Sequence, residues 1–202
     1  MQTRTYSDLY DLIQSFFGSD FATVEAARVR SLVNRRATQA YLASNYWPRF
    51  LTVGEERTVT SNIIDYDETG LSSIDKFLMI HRVQPYATQS AQYFDFYVDS
   101  NGANLFAGSS APTSAFVTYK AVHDSIYGTG ATDSTDVPKE WFDFMAYGAY
   151  ADALRMDGQT EKAAVADIEA TDILTIELLR VDEQIPSFLK GKISTNSNMQ
   201  PR

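Results

Sequence analysis

An acidic turn in the middle of the chain is the segment whose residue types come nearest to a known chemistry. In Asp65–Gly70, oxygen-bearing side chains stand at positions one, three and five and glycine at position six, as in the first half of a calcium-binding loop. Position twelve is Lys76, where such a loop needs a bidentate Glu. The flanking segments alternate like strands, so the pattern favours an ordinary acidic turn.

Residues suited to nucleophilic catalysis are sparse. The chain has two histidines, His81 in an alternating apolar run and His123 beside Asp124, and no G-x-S-x-G motif accompanies them. A Ser–His–Asp site built from distant residues stays open, because triads are spatial. The absence of cysteine removes disulfides, thiol nucleophiles and cysteine metal sites. We therefore expect no enzymatic activity, no cofactor and no metal ion.

The two glycine-rich stretches do not match nucleotide-binding motifs. Gly102–Gly108 is not followed by Lys-Ser or Lys-Thr, so it is not a phosphate loop. Gly128–Gly130 lacks the third glycine and the preceding buried parallel strand of a dinucleotide site. Both stretches are typical of turns.

Composition predicts a globular protein that does not bind nucleic acid over its whole surface. Hydrophobic residues make up 44% of the 202 residues, enough for one substantial domain or two small ones. The net charge of −9 disfavours sequence-independent phosphate binding. We expect a protein without a signal peptide or membrane span, made in a cytoplasm and with no membrane partner.

The charge is unevenly distributed along the chain. Residues 133–183 hold thirteen acidic and four basic side chains, whereas residues 22–50 hold five Arg and one Glu. The tail after Glu183 has three basic residues and no acid. Such polarity suits self-assembly of a basic face with an acidic face, and it also suits solvated helices of opposite sign.

Periodicity divides the chain into helices, strands and helices again. Helices are expected from about Ser7, as N-cap, to Phe17, from Thr23 to about Asn45, from Pro138 to about Asp157, and from Thr160 to Asp182. Alternating strands are expected over Ile74–Val83, Tyr93–Asp99, Ala103–Ala107 and Phe116–Val122, with a hairpin turn at Ser100–Gly102.

These elements predict an α+β fold in which a β-sandwich or curled antiparallel sheet is inserted into a helical bundle. The expected bundle consists of residues 1–50, an N-terminal helix pair, and 128–183, an αα-hairpin. The expected β domain is 51–127, and 184–202 is an extended C-terminal arm.

Several local strings resemble those of the head-to-tail adaptor proteins of tailed phages, the head-completion or tail-tubular neck proteins. The resemblance covers most of the chain up to about Asp182, and the strings that carry it are Val137–Trp141, Tyr147–Asp152, the Gly158 turn, Glu161–Ala164, Ser114–Lys120 and Tyr46–Pro48. It implies a structural subunit that forms a ring, commonly of twelve copies, beneath the portal of a filled capsid.

The resemblance also implies the partners and the place of the protein. Such a ring extends the DNA channel, joins head to tail, and contacts itself, the portal and a downstream tail or nozzle protein, while genomic DNA passes without sequence-specific binding. The expected location is the neck of the virion, after synthesis in the host cytoplasm. A tail terminator, a stopper or another tail ring protein is the alternative, and a calcium- or ligand-binding module at Asp65 and Asp67 is a further one.

A cyclic ring needs two complementary faces on each subunit. The predicted subunit interface places Arg28, Arg35 and Arg36 of one copy against acidic residues of the next, namely Asp152, Glu161 and Asp167. The arm after Glu183 is predicted to dock on the portal, and its residues for this contact are Ile185, Phe188, Leu189, Lys190 and Lys192, with Phe188 and Leu189 as the apolar anchor.

Overall fold

Helices lie towards both ends of the chain and antiparallel sheets lie between them, so the predicted α+β class is confirmed in a computed structural model of the protein. The structure describes residues 4–18, 23–85, 92–107, 112–128 and 133–185, and only the backbone of 23–26. Among the described residues, no helix is both long enough and apolar enough to cross a membrane.

The described chain divides into two compact units. Among the described residues, the helical unit comprises 4–44 and 124–183, and the β unit comprises 45–123 together with Gln184 and Ile185. The sequence predicts these boundaries after residues 50 and 127. The structure has them a few residues earlier in each case, after residues 44 and 123. The expected C-terminal arm falls outside the described residues except for Gln184 and Ile185.

The helical unit begins with a capped helix. Strand β1 (Arg4–Thr5) pairs with β8 (Asp136–Val137), and α1 (Tyr6–Phe17) follows directly. Thr5 is the N-cap, because its hydroxyl accepts a hydrogen bond from the Asp8 amide at 3.2 Å while the Asp8 carboxylate accepts one from the Thr5 amide at 2.9 Å. The predicted Ser7 cap is therefore wrong, since this reciprocal pair places the N-cap two residues earlier, at Thr5.

Three longer helices complete this unit. They are α2 (Thr23–Ala43), α3 (Lys139–Met156) and α4 (Thr160–Gln184). Small residues let α2 approach α3, and a Cβ added at Gly148 would lie 2.8 Å from the Arg36 Cδ. The turn between α3 and α4 contains Gly158 at φ +76°, a left-handed conformation that glycine adopts without strain. The predicted αα-hairpin is thus formed.

Two three-stranded antiparallel sheets make up the described part of the β unit. One has the order β2-β7-β4 and the other β3-β6-β5. The strands are β2 (Leu51–Thr58), β3 (Ile63–Ile64), β4 (Ile74–His81), β5 (Phe96–Asp99), β6 (Gly102–Leu105) and β7 (Ser114–Ala121). Side chains from both sheets enter one apolar core, so the arrangement is a small sandwich.

The alternation expected along β4 is interrupted by bulges. The sequence places Phe77 and Ile80 on opposite faces, yet both lie in the sandwich core. The pairing of β4 with β7 shifts register between Phe77 and Met79, which returns Ile80 to the face that Phe77 occupies. On β7, Val117 and Tyr119 share the core face as predicted.

We predict that Gly102→Ala destabilises the protein strongly. Gly102 has φ +135°, and an added Cβ would lie 2.9 Å from the Ile64 carbonyl carbon in the neighbouring strand. The expected loss is about 3 kcal/mol of unfolding free energy, measured by urea denaturation. Gly70→Ala is the matched control, because Gly70 also has positive φ but has open space around it, and it should cost only about 1 kcal/mol. Equal losses in the two variants would contradict the close approach at Gly102.

Candidate functional site

The predicted interface residues fall in the helical unit, where Arg36 of α2 is the central group. Its side chain is 9% exposed. The Nε atom donates to Asp152 Oδ2 at 2.8 Å and Nη2 donates to Asp152 Oδ1 at 2.7 Å, a bidentate pair. Nη2 also donates to Asp167 Oδ1 at 2.8 Å. One guanidinium from α2 therefore binds carboxylates of both α3 and α4.

Arg155 closes this network from the solvent side. It donates to Asp152 Oδ1 at 3.1 Å and to Asp167 Oδ2 at 3.0 Å, and its own side chain is 46% exposed. Two guanidinium groups thus face two carboxylates, which leaves the buried charges paired. We call Arg36, Asp152, Asp167 and Arg155 the charge cluster.

Protonation in the charge cluster follows from these contacts. Burial alone would lower the pKa of Arg36, but its hydrogen bonds to the carboxylates of Asp152 and Asp167 and their negative charges outweigh burial and raise that pKa. Burial alone would raise the pKa of Asp167, whereas the hydrogen bonds of Arg155 and Arg36 bring that pKa below its ordinary value. Both shifts favour the charged forms, so the cluster holds the three helices as an ionic network.

Arg28 makes a second contact between α2 and α3. Its Nη2 donates to the Ala153 carbonyl at 2.9 Å and to Asp157 Oδ1 at 3.0 Å. The carbonyl lies in the last turn of α3, where the negative end of the helix dipole favours a cation. Arg28 therefore stabilises the end of α3.

The predicted set of interface residues needs correction. Arg28, Arg36, Asp152 and Asp167 are paired within one chain, so the assignment of these four to contacts with a neighbouring copy is not supported by their geometry. Successive residues of a helix point about 100° apart, which is why Arg36 enters the unit. In contrast, Arg35 and Glu161 are exposed, and both remain candidates for an intermolecular contact.

The portal-docking residues lie at the end of the described chain. Ile185 is half-buried just after α4. Phe188, Leu189, Lys190 and Lys192 lie outside the described residues, so their predicted role stays a prediction.

Glu68 of the acidic turn and His81, from the segments considered for calcium and for catalysis, have ordinary structural contacts. Glu68 in the acidic turn accepts hydrogen bonds from the Thr58 hydroxyl and amide, at 2.7 and 3.2 Å. His81 is fully buried, with Nε2 at 2.9 Å from the Thr118 hydroxyl. Within the described part of the chain, no group of three or more His, Cys, Asp or Glu side chains is placed to hold a metal ion.

A buried cluster around Arg57 in the β unit was not foreseen from the sequence. The Arg57 side chain is fully buried, and its Nη2 donates to the Tyr119 hydroxyl at 2.6 Å and to the Ser72 carbonyl at 2.5 Å. Glu55 balances its charge at 2.8 Å. Alternation along Leu51–Thr58 gives no signal that this Arg faces inward, because the bulge between Thr52 and Glu55 changes which side chains do so.

No protein-family model matches the chain, and a search of curated proteins found no match to it.

We predict that Arg36→Met destabilises the protein by about 3 kcal/mol, because it leaves Asp152 buried without its principal partner. Arg35→Met is the matched control, one position earlier on the same helix but exposed, and should change stability by less than about 0.5 kcal/mol. Guanidinium denaturation of both variants gives the comparison. Similar stabilities would show that the charge cluster does not hold the helices together.

We predict that Asp167 contributes to acid sensitivity. Its pKa is lowered in the folded protein, so its contribution to stability is present above the ordinary Asp value of 3.8 and is lost as the pH falls below it. Asp167→Asn should therefore flatten the acid limb of a plot of unfolding free energy against pH. Asp172→Asn removes the same charge from an exposed position on α4. An equal flattening in that control would contradict a specific role for Asp167.

Proposed function

We propose that this chain is a structural, non-enzymatic subunit of a phage neck, where it forms a ring below the portal and joins the head to the tail. The order of helices and strands along the chain supports this role. Along the chain, helices precede and follow an antiparallel β unit, which is the order of elements that the resemblance to head-to-tail adaptors implies.

The observation that carries the proposal is the separation of exposed charge on the helical unit. Arg30 and Arg35 are exposed on α2. Exposed carboxylates dominate α4 instead, and they are Glu161, Glu169, Asp172, Asp182 and Glu183. A ring built from heterologous contacts requires two different, complementary surfaces on each copy, and opposite charge supplies that complementarity.

The surface chemistry also fits a channel through which DNA passes. The chain carries a net charge of −9, and exposed carboxylates do not bind phosphate. A ring of such subunits would surround DNA without retaining it. The partners proposed are therefore other copies, the portal and the next tail component, with DNA as a passing cargo.

The segment after α4 is proposed to bind the portal. It contains Phe188 and Leu189 as an apolar pair, and Lys190 and Lys192 as cations. A short apolar anchor with adjacent charge is suited to a groove on a partner protein. The remainder of the chain would then be free to form the ring.

Negative-stain microscopy of the purified protein, alone and mixed with the portal protein, tests the proposal. We expect a ring, or an added layer beneath the portal. A variant that ends at Ile185 should keep the thermal stability of the full chain but lose the portal. A protein that forms no ring alone and adds no layer to the portal in the mixture would contradict the adaptor role. Binding to a tail tube instead would identify a terminator.

A further inference from the structure

Helix α4 exposes an apolar stripe that the helical unit does not cover. Val165, Ile168, Ile176 and Leu179 are 70%, 62%, 51% and 62% exposed. Their spacing of three, eight and three residues places them along one face of the helix, on which the exposed Asp172 lies between Ile168 and Ile176. The opposite side of α4 is packed into the unit through buried residues, namely Ala163, Ala166, Ala170 and Val181. The helix is thus apolar on two sides and buried on one.

The charge around the stripe indicates what can cover it. Thr160–Gln184 contains seven acidic and two basic side chains. If two α4 helices paired through their stripes, these acidic side chains would face each other, which is unfavourable. Because carboxylates lie on and beside this face, the stripe fits a partner surface that offers both apolar and basic side chains.

Such a surface exists elsewhere on the same unit. A shallow cleft of about 220 Å³ lies between α2 and the end of α3, lined by Leu32, Arg35, Asp152, Arg155 and Met156. Met156 is 64% exposed, and with Leu32 it supplies apolar surface. Space of roughly 10–15 Å³ on this measure holds one water molecule, so the cleft can admit an aliphatic side chain.

The rim of the cleft has the required sign. Asp152 is neutralised by Arg36 and Arg155 in the charge cluster. Arg35 is exposed and forms no ion pair with the described part of its own chain. Helix α2 as a whole carries four Arg and one Glu.

We propose that the α4 stripe of one copy seats on the α2–α3 cleft of the next copy, with Arg35 facing the carboxylates beside the stripe. This inference rests on the proposed ring function and names the surfaces that build the ring. The two surfaces differ, so each copy uses one to accept a neighbour and the other to bind the next. A repeated contact of this kind closes into a ring when the rotation between copies allows it.

Cross-linking tests the contact cleanly because the chain has no cysteine. Ile176→Cys places a thiol on the stripe and Met156→Cys places one at the cleft. Treated with a short bismaleimide, the double variant should give a ladder of covalent oligomers, alone or on the portal, and each single variant should give none. A mixture of the two single variants should give covalent dimers.

Charge and apolarity are tested by substitution. Ile168→Glu with Ile176→Glu should weaken self-association at least tenfold, measured by sedimentation, and leave the thermal melting curve unchanged because both positions are exposed. Ile126→Glu is the matched control, 67% exposed in the same unit but outside stripe and cleft, and should assemble normally. Arg35→Glu should weaken association in the same way.

The outcomes separate this surface from the ring itself. If rings form but the cysteine double variant gives no covalent ladder, the stripe–cleft contact is overturned and the proposal of a ring still stands. Covalent dimers of Ile176→Cys alone identify pairing of two α4 helices and also overturn it. A chain that stays monomeric at high concentration and on the portal overturns both proposals.

Discussion

The arrangement of the helical unit depends on one buried cation. Arg36 cannot lose its charge and cannot remain buried without partners, so α3 and α4 must each bring a carboxylate to it. Its stem passes so close to Gly148 that any larger residue there would displace it. The ionic requirement and the steric one together fix how α2, α3 and α4 pack.

This constraint determines which charges are left for other molecules. The carboxylates of Asp152 and Asp167 form ion pairs with Arg36 inside the unit, and Arg28 donates a hydrogen bond to the Ala153 carbonyl near the end of α3. Arg30 and Arg35 on α2 and the outward carboxylates of α4 remain at the surface, the latter next to the exposed apolar stripe. The same packing that neutralises the interior thus leaves two surfaces of opposite character.

Much of the fold could be predicted from local signals, because these signals act over a few residues. Gly18 and Gly158 end helices with positive φ angles, and Ser100-Asn101 forms the two-residue turn between β5 and β6. These features do not depend on distant parts of the chain. The bulges in β2 and β4 could not be predicted, since they arise from pairing with β7. Burial of Arg57 follows from that pairing and was missed for the same reason.

The candidate site was predicted only in part. The sequence identified a basic helix and an acidic one, but adjacent residues such as Arg35 and Arg36 look alike until the helix is placed against its neighbours. The structure separates them into a surface group and a buried one. Distinguishing contacts within a chain from contacts between chains requires tertiary packing, which charge patterns alone do not contain.

The most direct test of the ring is the mass of the assembly, measured by mass photometry as the protein is titrated onto the portal. Each copy adds 22.6 kDa. We expect the added mass to saturate at a single value, one closed set of subunits per portal, and not to grow with further protein. Mass that keeps growing, that stops at one or two copies, or that is never added would contradict it.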